Sequence, residues 1–135
     1  MREQQKTMPI ESTLEIGTVK LGYQDGVAVL ALVGEHDIQT AAALSAAIRE
    51  QADRGAGVVV SLTETEFIDS SIVRALFQGD QYLLSQGRRL VLHSEPSSPV
   101  ESVLEIAGVD RQLLCCDLLG EAVEYAAQCY REAAS

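Results

Sequence analysis

Hydrophobic and polar positions along this chain switch between a two-residue and a helical period. The runs TLEIGTVKLGY and VAVLALVG flank Gln24-Asp25-Gly26, and an Asp-Gly pair between apolar runs is a strong hairpin signal. Two antiparallel strands are expected over about 14–23 and 27–33. The second is almost wholly apolar, as suits an interior strand. GEHDIQTAAALSAAIREQADRGAG then turns helical. Asp37 or Thr40 caps a helix reaching about Asp53, Leu44 and Ile48 share one face, and Gly55 and Gly57 end it. GVVVSL at 57–62 is a short β-branched strand.

FIDSSIVRALF follows, with a helix predicted over about 71–86. Val73, Leu76, Phe77, Leu83 and Leu84 have helical spacing, and Gly87 stops the run. RRLVLHS reads as a strand. In SSPVESVLEIAG, Ser98 is placed as N-cap, Pro99 at the first helical position, Glu101 as the far half of a capping box and Gly108 at the end. QLLCC reads as a strand, and DLLGEAVEYAAQCYREAA as the last helix. Its stripe Leu118, Ala122, Tyr125 and Cys129 is expected to face the core rather than a second copy. Strands alternating with helices after a hairpin predict one α/β domain. Its sheet is mixed and mostly parallel, with about five strands packed by about four helices. Residues 1–12 read as a flexible tail and 13–135 as the domain.

Composition narrows the function classes. The chain has 135 residues and 47% apolar content, enough for a single self-sufficient core. Twenty acids against ten bases give a net charge of −10. That balance disfavours nucleic acid and anionic lipid as partners and suits a partner with a basic patch. No apolar run approaches the roughly 20 residues of a membrane span. The polar N-terminus lacks a signal-peptide core, so a cytoplasmic chain without direct membrane insertion is expected. Three cysteines, two of them the adjacent Cys115 and Cys116, suit neither a disulfide framework nor a zinc site. No metal and no cofactor are expected.

Two places break the regular pattern with acids and hydroxyls: Gly34-Glu35-His36-Asp37 and Asp69-Ser70-Ser71. Both follow strands and lead into helices. In an open α/β sheet such ends converge on one edge, which makes Asp37 and the Asp-Ser-Ser loop neighbours. Capping is one reading of the loop, and one cap is worth about 1 kcal/mol. Capping accounts for Asp69 or Ser70, but not for three polar residues in so apolar a segment. The other reading is a hydroxyl displayed for modification. An enzymatic site of Asp37, Asp69 and Ser70 is a third. No glycine-rich phosphate loop accompanies it, and His36 and His93 read as loop or surface residues, so no catalysis is expected. Arg88-Arg89 reads as a solvated turn.

The GEHD turn at 34–37, the FIDSS loop at 67–71 and SPVESVLEIAGVDRQL at 98–113 occur in an order that resembles the STAS domain, the family of bacterial anti-sigma factor antagonists. The resemblance extends over about residues 14–127. It implies that the hydroxyl directly after the acid, Ser70, is phosphorylated. Asp37 resembles the family acid beside the phosphoacceptor, with Asp69 and Ser71 completing its surroundings. The partner surface is expected to include the Asp-Ser-Ser loop and the first turn of the following helix, around Ile72, Val73 and Arg74, because that helix start joins the candidate switch residue to exposed contact chemistry. Ile72 stands where members often carry glycine, and is expected to add bulk where a partner docks. The implied mechanism is partner switching. The unmodified domain binds an anti-sigma factor that is also a serine kinase, so freeing a sigma factor. Phosphorylation ends the binding, and a phosphatase restores it. The alternative is a STAS binding module without phosphorylation, an accessory subunit of a transporter or a signalling scaffold.

Overall fold

The computed structural model describes residues 19–134, with side chains through Gln128. The expected tail at 1–12, and the start of the first strand at 14–18, lie outside these residues. Strand β1 (Val19–Gln24) pairs antiparallel with β2 (Val27–Leu32). Asp25 and Gly26 both have positive φ, 54° and 81°, the turn geometry that matches the twist of a two-residue hairpin. Strand β2 then pairs in parallel with β4 (Gly57–Ser61), β4 with β6 (Leu90–His93), and β6 with β7 (Leu114–Cys116). The order is β1-β2-β4-β6-β7, a mostly parallel sheet with one antiparallel edge. This is the α/β class that the alternation predicts.

Helices α1 (Ile38–Asp53), α2 (Ser70–Leu84), α3 (Glu101–Ile106) and α4 (Val109–Gln112) contribute to one face of the sheet. There Leu30, Val58, Val60 and Leu92 pack among Leu44, Ile48, Ile72 and Leu76. Helix α5 (Leu119–Ala134) covers the other face, where Val27, Val59, Val91 and Cys116 meet Ala122, Val123 and Ala126. The β4 strand is buried along its whole length, which explains its unbroken apolar run. Gly57 lets α5 approach: a Cβ there would stand 2.7 Å from the Ala126 carbonyl oxygen.

Several local expectations are corrected. Two further strands exist, β3 (Gly34–His36) and β5 (Thr65–Ile68), which form a separate parallel pair. The capping box does not form. Two successive turns, 95–98 and 98–101, lead in, with Ser97 at φ 66°, so the helix begins at Glu101 and Val100 is an N-cap without a side-chain bond. The Glu101 carboxylate accepts instead from Ser97 N at 2.6 Å. Gly108, at φ 78°, then separates α3 from α4, which raises the helix count among the described residues to five.

The stripe of α5 is also shifted. Ala122 and its small neighbours are buried, while Leu118 and Tyr125 are 61% and 49% exposed, because close packing at Gly57 selects small side chains. The Cys129 side chain lies outside the described residues. Arg88 and Arg89 do not make a solvated turn. Arg88 is buried and donates to the carbonyls of Ala52 and Ala56, each at 2.6 Å, tying the end of α1 to β6. Arg89 forks onto buried Asp80 at 3.0 and 3.1 Å.

Candidate functional site

The small sheet brings the two acid-hydroxyl stretches together. Its register runs Gly34↔Thr65, Glu35↔Phe67 and His36↔Ile68. The next residues along the two strands are Asp37 and Asp69, and each is the N-cap of the helix that follows. Two capped helix starts therefore emerge side by side from parallel strands. Asp37 Oδ1 accepts from Gln39 N at 2.9 Å. Asp69 Oδ1 accepts from Ser71 N at 2.9 Å and Ile72 N at 3.3 Å.

The two serines differ sharply. Ser71 is half-buried, and its hydroxyl donates to Asp69 Oδ1 at 2.5 Å. That bond, more than the amides, holds the Asp69 carboxyl below the ordinary carboxylate range. Ser70, at the first helical position, is exposed. Among the described residues nothing hydrogen-bonds its hydroxyl.

Of the partner surface expected at Ile72, Val73 and Arg74, only Arg74 is exposed, which corrects the placing of the other two. Ile72 is wholly buried and Val73 is 8% exposed, because helical periodicity turns both toward the core beside Leu76. The bulk of Ile72 fills the interior and does not stand in the way of a docking partner. Sequence reasoning missed two apolar side chains that do stand out, Ile38 at 72% and Phe67 at 50% exposure. The available signal was positional: Ile38 opens α1 directly after its cap, and Phe67 precedes the buried Ile68 on a strand.

Both histidines are buried rather than on the surface. The His36 Nε2–H donates to the Val33 carbonyl at 3.1 Å, while Nδ1 meets the Thr40 hydroxyl at 3.0 Å. The ring thus braces the turn from β3 into α1. His93 Nδ1 lies 2.9 Å from Ser61 Oγ. Burial pushes both imidazole pKa values down. His93 and Ser61 line a cavity of about 280 Å³ on the α5 face, together with Lys20, Thr63 and Leu119. Among the described residues no three His, Cys, Asp or Glu side chains are placed to hold a metal ion. No helix among them is long and apolar enough to cross a membrane.

Solved structures share this fold. An anti-sigma factor antagonist from Mycobacterium paratuberculosis superimposes with a TM-score of 0.70 at 23% identity, over 82% of this chain and 93% of its own. The anti-sigma factor antagonist SpoIIAA in its unphosphorylated form gives 0.62 at 19% identity, with 82% and 97% covered. The Bacillus cell-fate determinant SpoIIAA in its phosphorylated form gives 0.60 at 21% identity, with 78% and 96% covered. The fold is thus one that anti-sigma factor antagonists adopt. Residues 19–120 match the family described as "Mlab, STAS domain", and the chain belongs to this STAS-domain family. No curated protein matches it.

Proposed function

We propose that this chain is an anti-sigma factor antagonist, switched off by phosphorylation of Ser70. Unmodified, it binds an anti-sigma factor that is also a serine kinase and so releases a sigma factor in the cytoplasm. The observation that carries this reading is the contrast between the serines: Ser70 offers an exposed hydroxyl without an internal partner, whereas the Ser71 hydroxyl is committed to Asp69. Fold likeness to SpoIIAA, solved in both unphosphorylated and phosphorylated forms, supports it.

The chemistry is local electrostatics. A phosphate adds about 1.5 to 2 negative charges beside Asp69 and Asp37. In a desolvated contact, an opposing loss of about 3 kcal/mol weakens binding more than a hundredfold. Asp69 stays on its amides, so the fold needs no rearrangement. Exposed Ile38 and Phe67 supply apolar contact area beside the acids. A phosphatase resets the switch.

Incubation with the cognate kinase and ATP tests the reading, with the phosphate located by mass spectrometry. A single phosphate on Ser70 is expected; modification of Ser71 alone, or none by an active bound kinase, contradicts it. The alternative, a binding module that never carries phosphate, gains nothing from Ile72, which lies in the core and suits either reading.

A further inference from the structure

Resting on the reading of Ser70 as the modified hydroxyl, we infer that Arg74 captures the phosphate within α2 and is thereby withdrawn from the partner. A phosphate at a helix start ordinarily settles on free backbone N–H groups. Here the amides that follow Ser70 are already taken. Asp69 Oδ1 holds the amides of Ser71 and Ile72, at 2.9 and 3.3 Å, and the Asp69 carbonyl accepts from Val73 N at 3.2 Å. A phosphate on Ser70 therefore meets a first turn that is occupied beyond its own residue, with the Asp69 carboxylate adjacent and the Asp37 carboxylate on the neighbouring cap. Without a cation, both cap carboxylates oppose it.

Arg74 supplies that cation. It lies four residues after Ser70, and such positions share a helix face with Cβ atoms roughly 5–6 Å apart. Both residues are exposed. An anion N-terminal to a cation at this spacing is also the favoured orientation along the helix dipole. A guanidinium fork matches phosphate oxygens in two parallel hydrogen bonds. Arg74 has no ion pair among the described residues, whereas Arg54 pairs with Glu50, Arg49 stacks over Tyr82, and Arg89 forks onto Asp80.

The modification itself transfers the γ-phosphoryl group of ATP to Ser70 Oγ. The bond from phosphorus to the bridging oxygen breaks, ADP leaves, and the hydroxyl proton passes to a base of the kinase. The switch then has two parts: charge is added to the surface, and its cation is occupied. A partner that met Arg74 with an acid loses that contact as well.

The test installs phosphoserine at position 70 during translation of the full chain, so no kinase is needed. The second ionisation of the phosphate is followed by phosphorus NMR. Its midpoint should rise by half a pH unit or more in Arg74→Gln relative to the native sequence, and fall back in Arg74→Lys, which keeps the charge. The unphosphorylated Arg74→Gln chain should melt with the native one, which separates capture from a structural role. Identical titrations with Arg74 and with Gln would overturn the assignment. A kinase that leaves Ser70 unmodified, alongside a clear Arg74 effect on the installed phosphate, would remove the proposed regulation and leave the capture standing.

Discussion

Ser70 and Ser71 carry the same hydroxyl into different chemistry, and one carboxylate oxygen makes the difference. Asp69 Oδ1 draws in the Ser71 hydroxyl and two amides, which leaves Ser70 alone at the surface. Asp69→Ala should therefore cost about 1–2 kcal/mol of unfolding free energy, near the upper range for a lost N-cap, and Asp69→Asn much less. Urea unfolding measures both. The pH dependence has a definite sign. The folded-state pKa of Asp69 is lowered, so its contribution is complete above the unfolded value of about 3.9 and is lost as pH falls through the folded value. The gap between the native and Asp69→Ala chains should be constant near neutrality and close in strong acid. A gap that persists there would show that the carboxylate is not the stabilising species. At this scale the sequence made the candidate legible, since Asp-Ser-Ser before a helical run is visible as letters. The burial of Ile72 and of both histidines was not, because it depends on which face of an element meets the core.

Elements were legible in proportion to their length and regularity. The β4 run GVVVS and the hairpin at Asp25-Gly26 announce themselves. Strands β3 and β5, of three and four residues, do not, since so few residues show no period. Yet their register is what sets Asp37 beside Asp69. Helix α5 was read with the wrong stripe because large residues were assumed to face inward. Its approach to β4 is governed by the missing side chain at Gly57. Gly57→Ala should destabilise the chain by about 1–3 kcal/mol, since the new methyl group meets a backbone carbonyl that cannot turn aside. An unchanged urea midpoint would mean that α5 slides along the sheet at little cost.

For the whole molecule, charge and burial set the response to pH. His36 and His93 are buried, with pKa values pushed below the ordinary value of about 6.5. Below that pH the unfolded chain binds protons that the folded chain refuses, so stability should fall as pH drops from about 6.5 toward the folded values. His93→Gln should flatten that slope in urea titrations, and an unchanged slope would assign the loss to other groups. The net charge of −10 and the acid caps at Asp37 and Asp69 favour a partner with basic residues around an apolar contact for Ile38 and Phe67. Class and sheet order were legible in the alternation of strands and helices. The exposure of Ile38 and Phe67 was not, because exposure is a property of the assembled molecule.

The central claim is that one phosphate at Ser70 decides whether this surface binds. The most direct measurement is the affinity of the cognate anti-sigma kinase for three purified chains: unmodified, phosphorylated at position 70, and Ser70→Ala treated with kinase and ATP. The unmodified and Ser70→Ala chains should bind alike, and the phosphorylated chain at least a hundredfold more weakly, corresponding to about 3 kcal/mol. Equal affinity for the phosphorylated and unmodified chains would contradict it.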